Sequence, residues 1–267
     1  MIWMIAGTKD AREIIDELKT YNYKLLATTA TEYGKKLIDE DDNTKVIAKR
    51  LQKSEIKNLI KNEGIKIVID ASHPYADEIS KNALDVCIEK DVRYIRYERE
   101  SIYDRDIQTN DILNFKSIQD ACKYLYKKQG NILLTTGSKT LEIFTSLLDI
   151  NKLFIRVLPN KNVVKKCEDI GFNPNQIIGM QGSFSKEFNK EMYKHFNIKY
   201  MVTKDSGEIG GVYQKINAAQ ELGVKPIIIK RPSILKDNKE NSKTSVGSCG
   251  LFKIKKKSEI LKLIKNT

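Results

Sequence analysis

The chain has 267 residues, 40% of them hydrophobic, and 47 basic against 35 acidic side chains give it a formal net charge of +12 at neutral pH. This length suffices for one large α/β domain or for two domains of about 130 residues each. No apolar run approaches the roughly 20 residues that a membrane helix needs, and the apolar opening Met1–Ile5 is interrupted at Gly7 too early for a signal peptide. We therefore predict a soluble, cytoplasmic protein with no membrane contact.

The spacing of the cysteines and the positive net charge limit which metals and binding partners can be expected. Cys87, Cys122, Cys167 and Cys249 lie far apart in sequence without C-x-x-C spacing, so no metal site is predicted. The excess charge fits nucleic acid, an anionic surface or a carboxylated small molecule. The one dense basic cluster, residues 253–257, has none of the aromatic residues that a single-strand binding groove uses, and no nucleic-acid partner is predicted. A basic nucleic-acid-binding protein remains a rival, recognisable by steeply salt-dependent affinity.

Apolar, β-rich segments alternate with segments of helical periodicity, the pattern of βα units that build a parallel sheet. The predicted strands are Ile2–Ala6, Lys24–Ala27, Lys45–Ala48, Ile65–Asp70, Arg93–Tyr97, Ile132–Thr135, Leu153–Val157, Ile177–Gly179, Tyr200–Thr203 and Pro226–Lys230. The predicted helices are one starting after Gly7, Glu55–Asn62 capped by Ser54, Tyr75–Glu89, Ile118–Lys127 capped by Ser117, one starting after Ser185, Val212–Leu222 and Ser258–Lys265.

The charged stretch 98–114 lacks periodicity and predicts a boundary near residue 100. We therefore predict two domains of the α/β class, residues 1–100 and 101–267, each with a Rossmann-like parallel sheet. Within the second domain, residues 233–267 are expected to form a mobile loop, a last strand and a short helix.

The segment 66–76 is the first candidate site. An apolar strand ends at Asp70 and is followed by Ser72, His73 and Pro74. Ligands of open parallel sheets bind at the carboxyl ends of the strands, so we predict a functional site at this segment. The alternative is an ordinary turn that only connects a strand to a helix.

Four further turns carry small or hydroxylated residues after a strand. Gly7 permits close backbone approach, and the helix start at Thr8 could hold a phosphate, although neither G-x-G-x-x-G nor a Walker A pattern is present. Residues 28–34 follow the second strand with hydroxyl groups, where an acid would favour NAD, and this weakly favours tolerance of a 2′-phosphate. In the second half, residues 134–139 and the glycine-rich loop 203–211 also place glycine between a strand and a helix start, and each is another possible anion site. Each turn taken singly is more often a capped turn than a site.

Taken together and in order, these segments resemble the precorrin-6A reductase family of cobalamin biosynthesis, including its cobalt-precorrin branch. The resemblance covers residues 1 to about 232 and rests on Gly7-Thr8, Asp10-Ala11-Arg12, Thr29 to Gly34, Arg50-Leu51, Asp70 to Ala76, Arg96 to Arg99, Thr136-Gly137, Arg156 to Pro159, Gln181 to Ser185, Thr203 to Gly207, Gly210-Gly211, Lys215 and Arg231-Pro232.

The resemblance implies an enzyme that uses NADPH or NADH to reduce one double bond of precorrin-6A or cobalt-precorrin-6A to the 6B form. It also implies two Rossmann-like domains with an interdomain cleft. The anionic tetrapyrrole would be oriented in this cleft by Arg and Lys. Another Rossmann-type nucleotide-dependent enzyme, such as a methyltransferase of the same pathway, is the alternative function. A monomer and a homodimer both remain open.

Site residues follow from the resemblance position by position. The implied cofactor-binding residues are Gly7, Thr8, Asp10, Thr29, Ala30, Thr31, Thr136 and Gly137. The implied substrate-binding residues are Asp70, Ser72, His73, Tyr75, Lys204, Ser206, Gly207 and Lys215. His73 and Tyr213 are the candidate catalytic residues, because reduction of the conjugated system also needs a proton. A positioning role for His73 is the competing interpretation.

Overall fold

The computed structural model describes residues 1–101, 111–207, 210–231, 244–245 and 250–265. The strands are β1 (Ile2–Ile5), β2 (Leu25–Thr29), β3 (Thr44–Ala48), β4 (Ile67–Asp70), β5 (Arg93–Tyr97), β6 (Leu113–Phe115), β7 (Asn131–Leu134), β8 (Leu153–Val157), β9 (Ile177–Gly179), β10 (Ile198–Lys204), β11 (Lys225–Ile229), β12 (Thr244–Ser245) and β13 (Gly250–Ile254). The helices are α1 (Lys9–Lys19), α2 (Glu32–Lys35), α3 (Lys53–Asn62), α4 (Asp77–Lys90), α5 (Ile118–Tyr126), α6 (Leu141–Thr145), α7 (Lys161–Ile170), α8 (Lys186–His195), α9 (Val212–Glu221) and α10 (Ser258–Lys265).

The first unit comprises residues 1–99 and 232–267 and is built on one sheet. Its strand order is β12-β13-β5-β4-β1-β2-β3, with all neighbours parallel except the short β12 against β13. Side chains alternate along β1: Ile2 and Met4 pack with α1 and α10, whereas Trp3 and Ile5 pack with α3 and α4. Helices therefore cover both faces, as in a doubly wound fold, and the strand order reverses between β1 and β4.

The second unit comprises residues 100–231. Its fully parallel sheet has the order β6-β11-β10-β7-β8-β9 and reverses between β7 and β10. Ile132 and Leu134 face the core formed with α5, α6 and α7, and Leu133 faces the core formed with α8 and α9. The predicted α/β class with two Rossmann-like parallel sheets is confirmed.

The domain extents need one correction. Residues 232–267 group with the first unit rather than the second, because β13 pairs in parallel with β5 and Ile260 and Ile264 of α10 pack into the core beside α1. Sequence order gave no sign of this, since the strand returns to a sheet far away in the chain. The loop expected between residues 233 and 249 lies outside the described residues except for 244–245.

The observed helix starts and short elements differ in places from those predicted. Helix α3 begins at Lys53, so its N-cap is Gln52 and the predicted cap Ser54 is wrong. Helix α4 begins at Asp77 rather than at Tyr75, after the Pro74 turn. Ser117 and Ser185 cap α5 and α8 as predicted. The elements β6, α2, α6 and α7 were not predicted, and the first three have only three to five residues.

Within the described ranges, no helix is long and apolar enough to cross a membrane.

Candidate functional site

Each unit places two of the predicted turns at the point where its strand order reverses. In the first unit these turns follow β1 and β4, and in the second unit they follow β7 and β10. In doubly wound sheets this is where ligands bind. Four of the five segments chosen from sequence therefore lie at the two positions that this architecture favours, and the fifth, residues 28–34, follows β2.

The end of β4 is fixed by a buried polar network around Asp70, which has no exposed surface. One carboxylate oxygen, Oδ1, lies 2.6 Å from the guanidinium of Arg96, and the other accepts a 2.6 Å hydrogen bond from the Tyr94 hydroxyl. The Ser72 backbone N–H also donates to Oδ1 at 3.0 Å, and Arg96 donates to the hydroxyls of Ser72 and Ser80. Both oxygens of Asp70 are occupied inside the unit.

The pKa values of Tyr94 and Arg96 are both raised in this network. Burial, with the adjacent charge of Asp70, raises the pKa of Tyr94 well above its usual value, so its hydroxyl keeps the proton that it donates. Burial alone would lower the pKa of Arg96, but the nearby acidic groups, Asp70 foremost, together outweigh burial and the pKa is raised. Asp70 and the 6% exposed Ser72 thus shape the turn from beneath, and a substrate contact by either residue stays a prediction.

His73 and Tyr75 stand on the solvent side of the same turn. His73 is exposed, and its Nδ1 accepts a 3.3 Å hydrogen bond from the Tyr75 backbone N–H. The two rings lie 5.8 Å apart, and the His73 carbonyl accepts from Ala76 N–H. Of the predicted substrate-binding residues on this turn, these two are the ones that a ligand can reach.

The β1 turn is tied to the β4 turn through Thr8. Its hydroxyl donates to the Ala71 carbonyl at 2.9 Å and accepts from the Ala11 N–H at 3.0 Å, which caps α1. Gly7 is exposed at φ +130°, and a Cβ added there would meet nothing within 4 Å. The turn therefore leaves open space beside its backbone, as close approach of a phosphate-bearing ligand requires.

Asp10 points into the unit rather than toward that open space. It is 2% exposed, lies 2.7 Å from Arg99 and 3.4 Å from Lys257, and belongs to the first turn of α1. Lys257 also pairs with Glu13, one turn further along the helix. In this structure the Asp10 carboxylate fixes the helix start, and a cofactor contact by Asp10 stays a prediction.

Removal of the Thr8 hydroxyl should weaken this junction. We expect Thr8→Val to lower the free energy of unfolding by about 1–2 kcal/mol, since it deletes a helix cap and a buried tie between two turns. Urea denaturation measures this, with Thr8→Ser as the hydroxyl-retaining control. Thr31→Val, at the exposed cap of the short α2, should cost less. Equal losses for both valine variants would contradict the special role of Thr8.

The end of β2 carries hydroxyls and an exposed alanine. Thr29 is buried and donates to the Thr31 carbonyl at 3.0 Å, and the Thr31 side chain caps α2 by accepting from Gly34 N–H. Ala30 and Thr31 are exposed. Arg50 follows the neighbouring strand β3, which pairs with β2, and is also exposed.

The β7 turn of the second unit repeats the design of the β1 turn. Thr136 is 6% exposed, with its hydroxyl 3.0 Å from that of Thr140. Gly137 has φ +82° and, like Gly7, open space where a Cβ would stand. Both glycine turns at the reversal points thus combine a positive φ with an unobstructed face.

Among the residues of the β10 loop that the structure describes are the predicted site residues Ser206 and Gly207. Lys204, the last residue of β10, is half-buried, and its carbonyl accepts from Ser206 N–H at 2.8 Å. Gly207 is buried at φ +69°, and a Cβ on Gly210 would lie 1.9 Å from the Ser206 hydroxyl oxygen, so glycine is required at that position. Tyr213 is half-buried in the first turn of α9 and packs against the core under that helix.

Lys215, on α9, is only 7% exposed and donates to the Gly210 carbonyl at 3.0 Å. Burial, followed by the charge of Arg156, lowers the pKa of Lys215 to about 7. Arg156 of β8 is 8% exposed and donates to Asn189 at 2.9 Å. The buried side chain of Lys215 does not reach the surface, so a predicted substrate contact there requires an anionic group that enters the unit.

Sequence reasoning gave no roles to Arg96, Arg99 and Arg156. For Arg96 and Arg156 the sequence offered a signal, an arginine between apolar residues of a strand: β5 reads Arg-Tyr-Ile-Arg-Tyr and β8 reads Leu-Phe-Ile-Arg-Val. A buried guanidinium needs a partner, so such an arginine marks a polar network or a ligand. In the described parts of the chain, no group of three His, Cys, Asp or Glu residues is arranged to hold a metal ion.

Comparisons with known proteins match this architecture. The family model described as "Precorrin-6x reductase CbiJ/CobK" matches residues 1–249. The chain belongs to this precorrin reductase family. A cobalt-precorrin-6A reductase of Priestia megaterium is 39% identical, over 88% of this chain and 91% of that protein. One of Methanocaldococcus jannaschii is 38% identical, over 86% and 90%.

A solved structure of CobK precorrin-6A reductase superposes with a TM-score of 0.74, covering 99% of this chain and 96% of that one at 18% identity. The chain thus shares the fold of that structure. The methyltransferase alternative finds no support in these comparisons, and the family is one of oxidoreductases.

Proposed function

We propose that the chain reduces one double bond of cobalt-precorrin-6A to give the 6B form, with a reduced nicotinamide as hydride donor. The observation that carries this proposal is the pair of glycine turns at the strand-order reversals, within a chain of the precorrin reductase family. The cobalt-containing substrate is favoured because relatives at 39% and 38% identity are cobalt-precorrin-6A reductases. A relative called precorrin-6A reductase, from Rhodobacter capsulatus, is 25% identical.

The residues at the β1 and β2 ends fit a nicotinamide dinucleotide. Gly7 offers an open backbone face, Thr8 presents the start of α1, and Ala30 and Thr31 are exposed after β2. The bound cofactor would supply a hydride, and the protein supplies position and electrostatics. Since β2 ends in the hydroxyl-bearing residues Thr28 and Thr29 rather than in an acid, we propose that a 2′-phosphate is tolerated and that NADPH is accepted. Thr136 and Gly137 offer a second open turn.

His73 and Tyr213 are the side chains that we propose to hold or relay the proton needed at the reduced carbon. His73 is exposed at the end of β4, and Tyr213 is half-buried just after the β10 loop. Lys204, Ser206 and Gly207 would orient the anionic macrocycle from the β10 loop. The buried free thiols Cys87, Cys122 and Cys167 fit a reducing compartment, and we propose the cytoplasm.

Anaerobic incubation tests the function directly. The purified chain is mixed with cobalt-precorrin-6A or with metal-free precorrin-6A, each with NADPH or NADH, and the macrocycle and nicotinamide absorbances are followed. We expect loss of reduced nicotinamide and formation of the 6B chromophore, fastest with the cobalt complex. Absence of reaction with both macrocycles and both nicotinamides would refute the proposal.

A charge at Lys204 should matter for binding more than for folding. We expect Lys204→Ala to raise the KM for the macrocycle about tenfold, the effect of losing one charge-assisted hydrogen bond, while the melting temperature stays near wild type. Lys199→Ala, an exposed position on the same strand, is the matched control and should leave KM unchanged. A large loss of thermal stability with unchanged kinetics would show that Lys204 is structural.

A further inference from the structure

Arg156 and Lys215 form a buried pair of cations in the second unit. Arg156 donates to the Asn189 side-chain oxygen at 2.9 Å, lies 4.0 Å from the Met192 sulfur, and has its guanidinium carbon 4.8 Å from the centre of the Phe184 ring. Every one of these contacts is with a neutral group.

The Lys215 amine is surrounded in the same way. It donates to the Gly210 carbonyl at 3.0 Å and to the Thr203 hydroxyl at 3.4 Å. The Tyr193 hydroxyl donates to the backbone carbonyl of Lys215. Burial raises the pKa of Tyr193, which therefore stays neutral. Among the residues that the structure describes, neither cation forms an ion pair with a carboxylate.

Two desolvated cations that have no counter-ion among the described residues are unfavourable together. Arginine does not give up its proton in proteins, so relief must come from Lys215 or from an added anion. The lowered pKa of Lys215, about 7, agrees with loss of its proton in the ligand-free protein above neutral pH. An anion near both groups would reverse this shift, because an opposite charge favours the protonated amine.

The pair also lies under the part of the unit where a ligand is expected. Gly210 belongs to the loop after β10, at the strand-order reversal, and Arg156 is the penultimate residue of β8, near its carboxyl end. Phe184, which covers the Arg156 guanidinium, belongs to the loop before α8. The two cations thus lie toward the carboxyl edge of the sheet.

We propose that Arg156 and Lys215 form an anion subsite that receives one oxyanion group, and that Lys215 takes up a proton when the group enters. This rests on the proposed function, which supplies two sources of oxyanion: a carboxylate of the tetrapyrrole and a phosphate of the nicotinamide cofactor. The same proton is then stored beside the ligand during the reaction. The subsite therefore couples ligand binding to protonation.

Calorimetry of binding measures this coupling without turnover. Cobalt-precorrin-6A without nicotinamide, and NADPH without macrocycle, are each titrated into the protein at about pH 8 in triethanolamine and in Tris, two amine buffers whose ionisation enthalpies differ and which bring no oxyanion of their own. We expect one of the two ligands to take up close to one proton per site, which identifies the oxyanion. At about pH 5.5, where Lys215 is already charged, the uptake should vanish.

Three variants separate the subsite from a structural role. Lys215→Arg keeps a permanent charge and should bind without proton uptake, whereas Lys215→Met should bind the same ligand at least tenfold more weakly and also without uptake. Lys199→Met, an exposed lysine of the same unit, should behave as wild type. The pH comparison on wild type alone decides the matter if the Lys215 variants do not fold.

Binding without buffer dependence in either titration would overturn the subsite and leave the proposed function intact. Proton uptake that persists in Lys215→Met would also overturn it. Failure of both ligands to bind would overturn the subsite together with the proposed function.

Discussion

Asp70→Asn is expected to destabilise the first unit by about 3–5 kcal/mol, the loss found when one partner of a buried ion pair is removed. The substitution keeps the shape of the side chain but leaves the 2% exposed Arg96 without the carboxylate that lies 2.6 Å away. It also replaces an acceptor of the Tyr94 hydroxyl with a weaker one. Urea denaturation followed by circular dichroism measures the loss.

An exposed ion pair of similar length provides the matched control. Asp85 lies 3.0 Å from Lys53, and both side chains are about half exposed, 55% and 45%. Asp85→Asn should cost no more than about 1 kcal/mol, because solvent screens such pairs. Adding Arg96→Met to Asp70→Asn should recover part of the lost stability, since the uncompensated charge is then gone. A loss at Asp70 no larger than that at Asp85 would contradict the account of the β4 end.

The same segment shows how far sequence reasoning reaches. The alternation of apolar runs and helical periodicity predicts a parallel sheet, and the strand ending at Asp70 predicts a site, because both signals are local. The burial of Asp70 depends on Arg96 and Tyr94 of the next strand, a pairing that becomes visible only once β4 and β5 are aligned. Sequence therefore locates the turn but does not tell which of its side chains face solvent.

Pairing between strands that are far apart in the chain also could not be predicted from the sequence. The return of β13 to the first sheet depends on hydrogen bonds between Leu251 and Tyr94 and their neighbours, across a separation that no periodicity encodes. Short elements such as β6 and α2 carry too few residues for a periodic signal. By contrast, the glycines at positions 7 and 137 were identifiable, because strand, glycine and helix start follow directly in the chain.

Lys215→Met should change how stability depends on pH. In the unfolded chain a lysine has a pKa near 10.4, and in the folded protein burial lowers the pKa of Lys215 to about 7. Between these values the unfolded state binds more protons, so the free energy of unfolding contributed by this group rises with pH. Below about pH 7 the lysine is charged in both states and its burial penalty is constant.

The difference between wild type and Lys215→Met isolates this contribution, because all other titrating groups are common to both. From about pH 7 to about pH 10, wild type should gain about 4 kcal/mol relative to the methionine variant, the equivalent of the pKa difference. Urea denaturation at unit pH intervals measures the gain, and Lys199→Met should track wild type throughout. A difference that stays flat across this range would mean that Lys215 keeps its charge in the folded protein, and the neutral, proton-accepting lysine required by the anion subsite would be excluded.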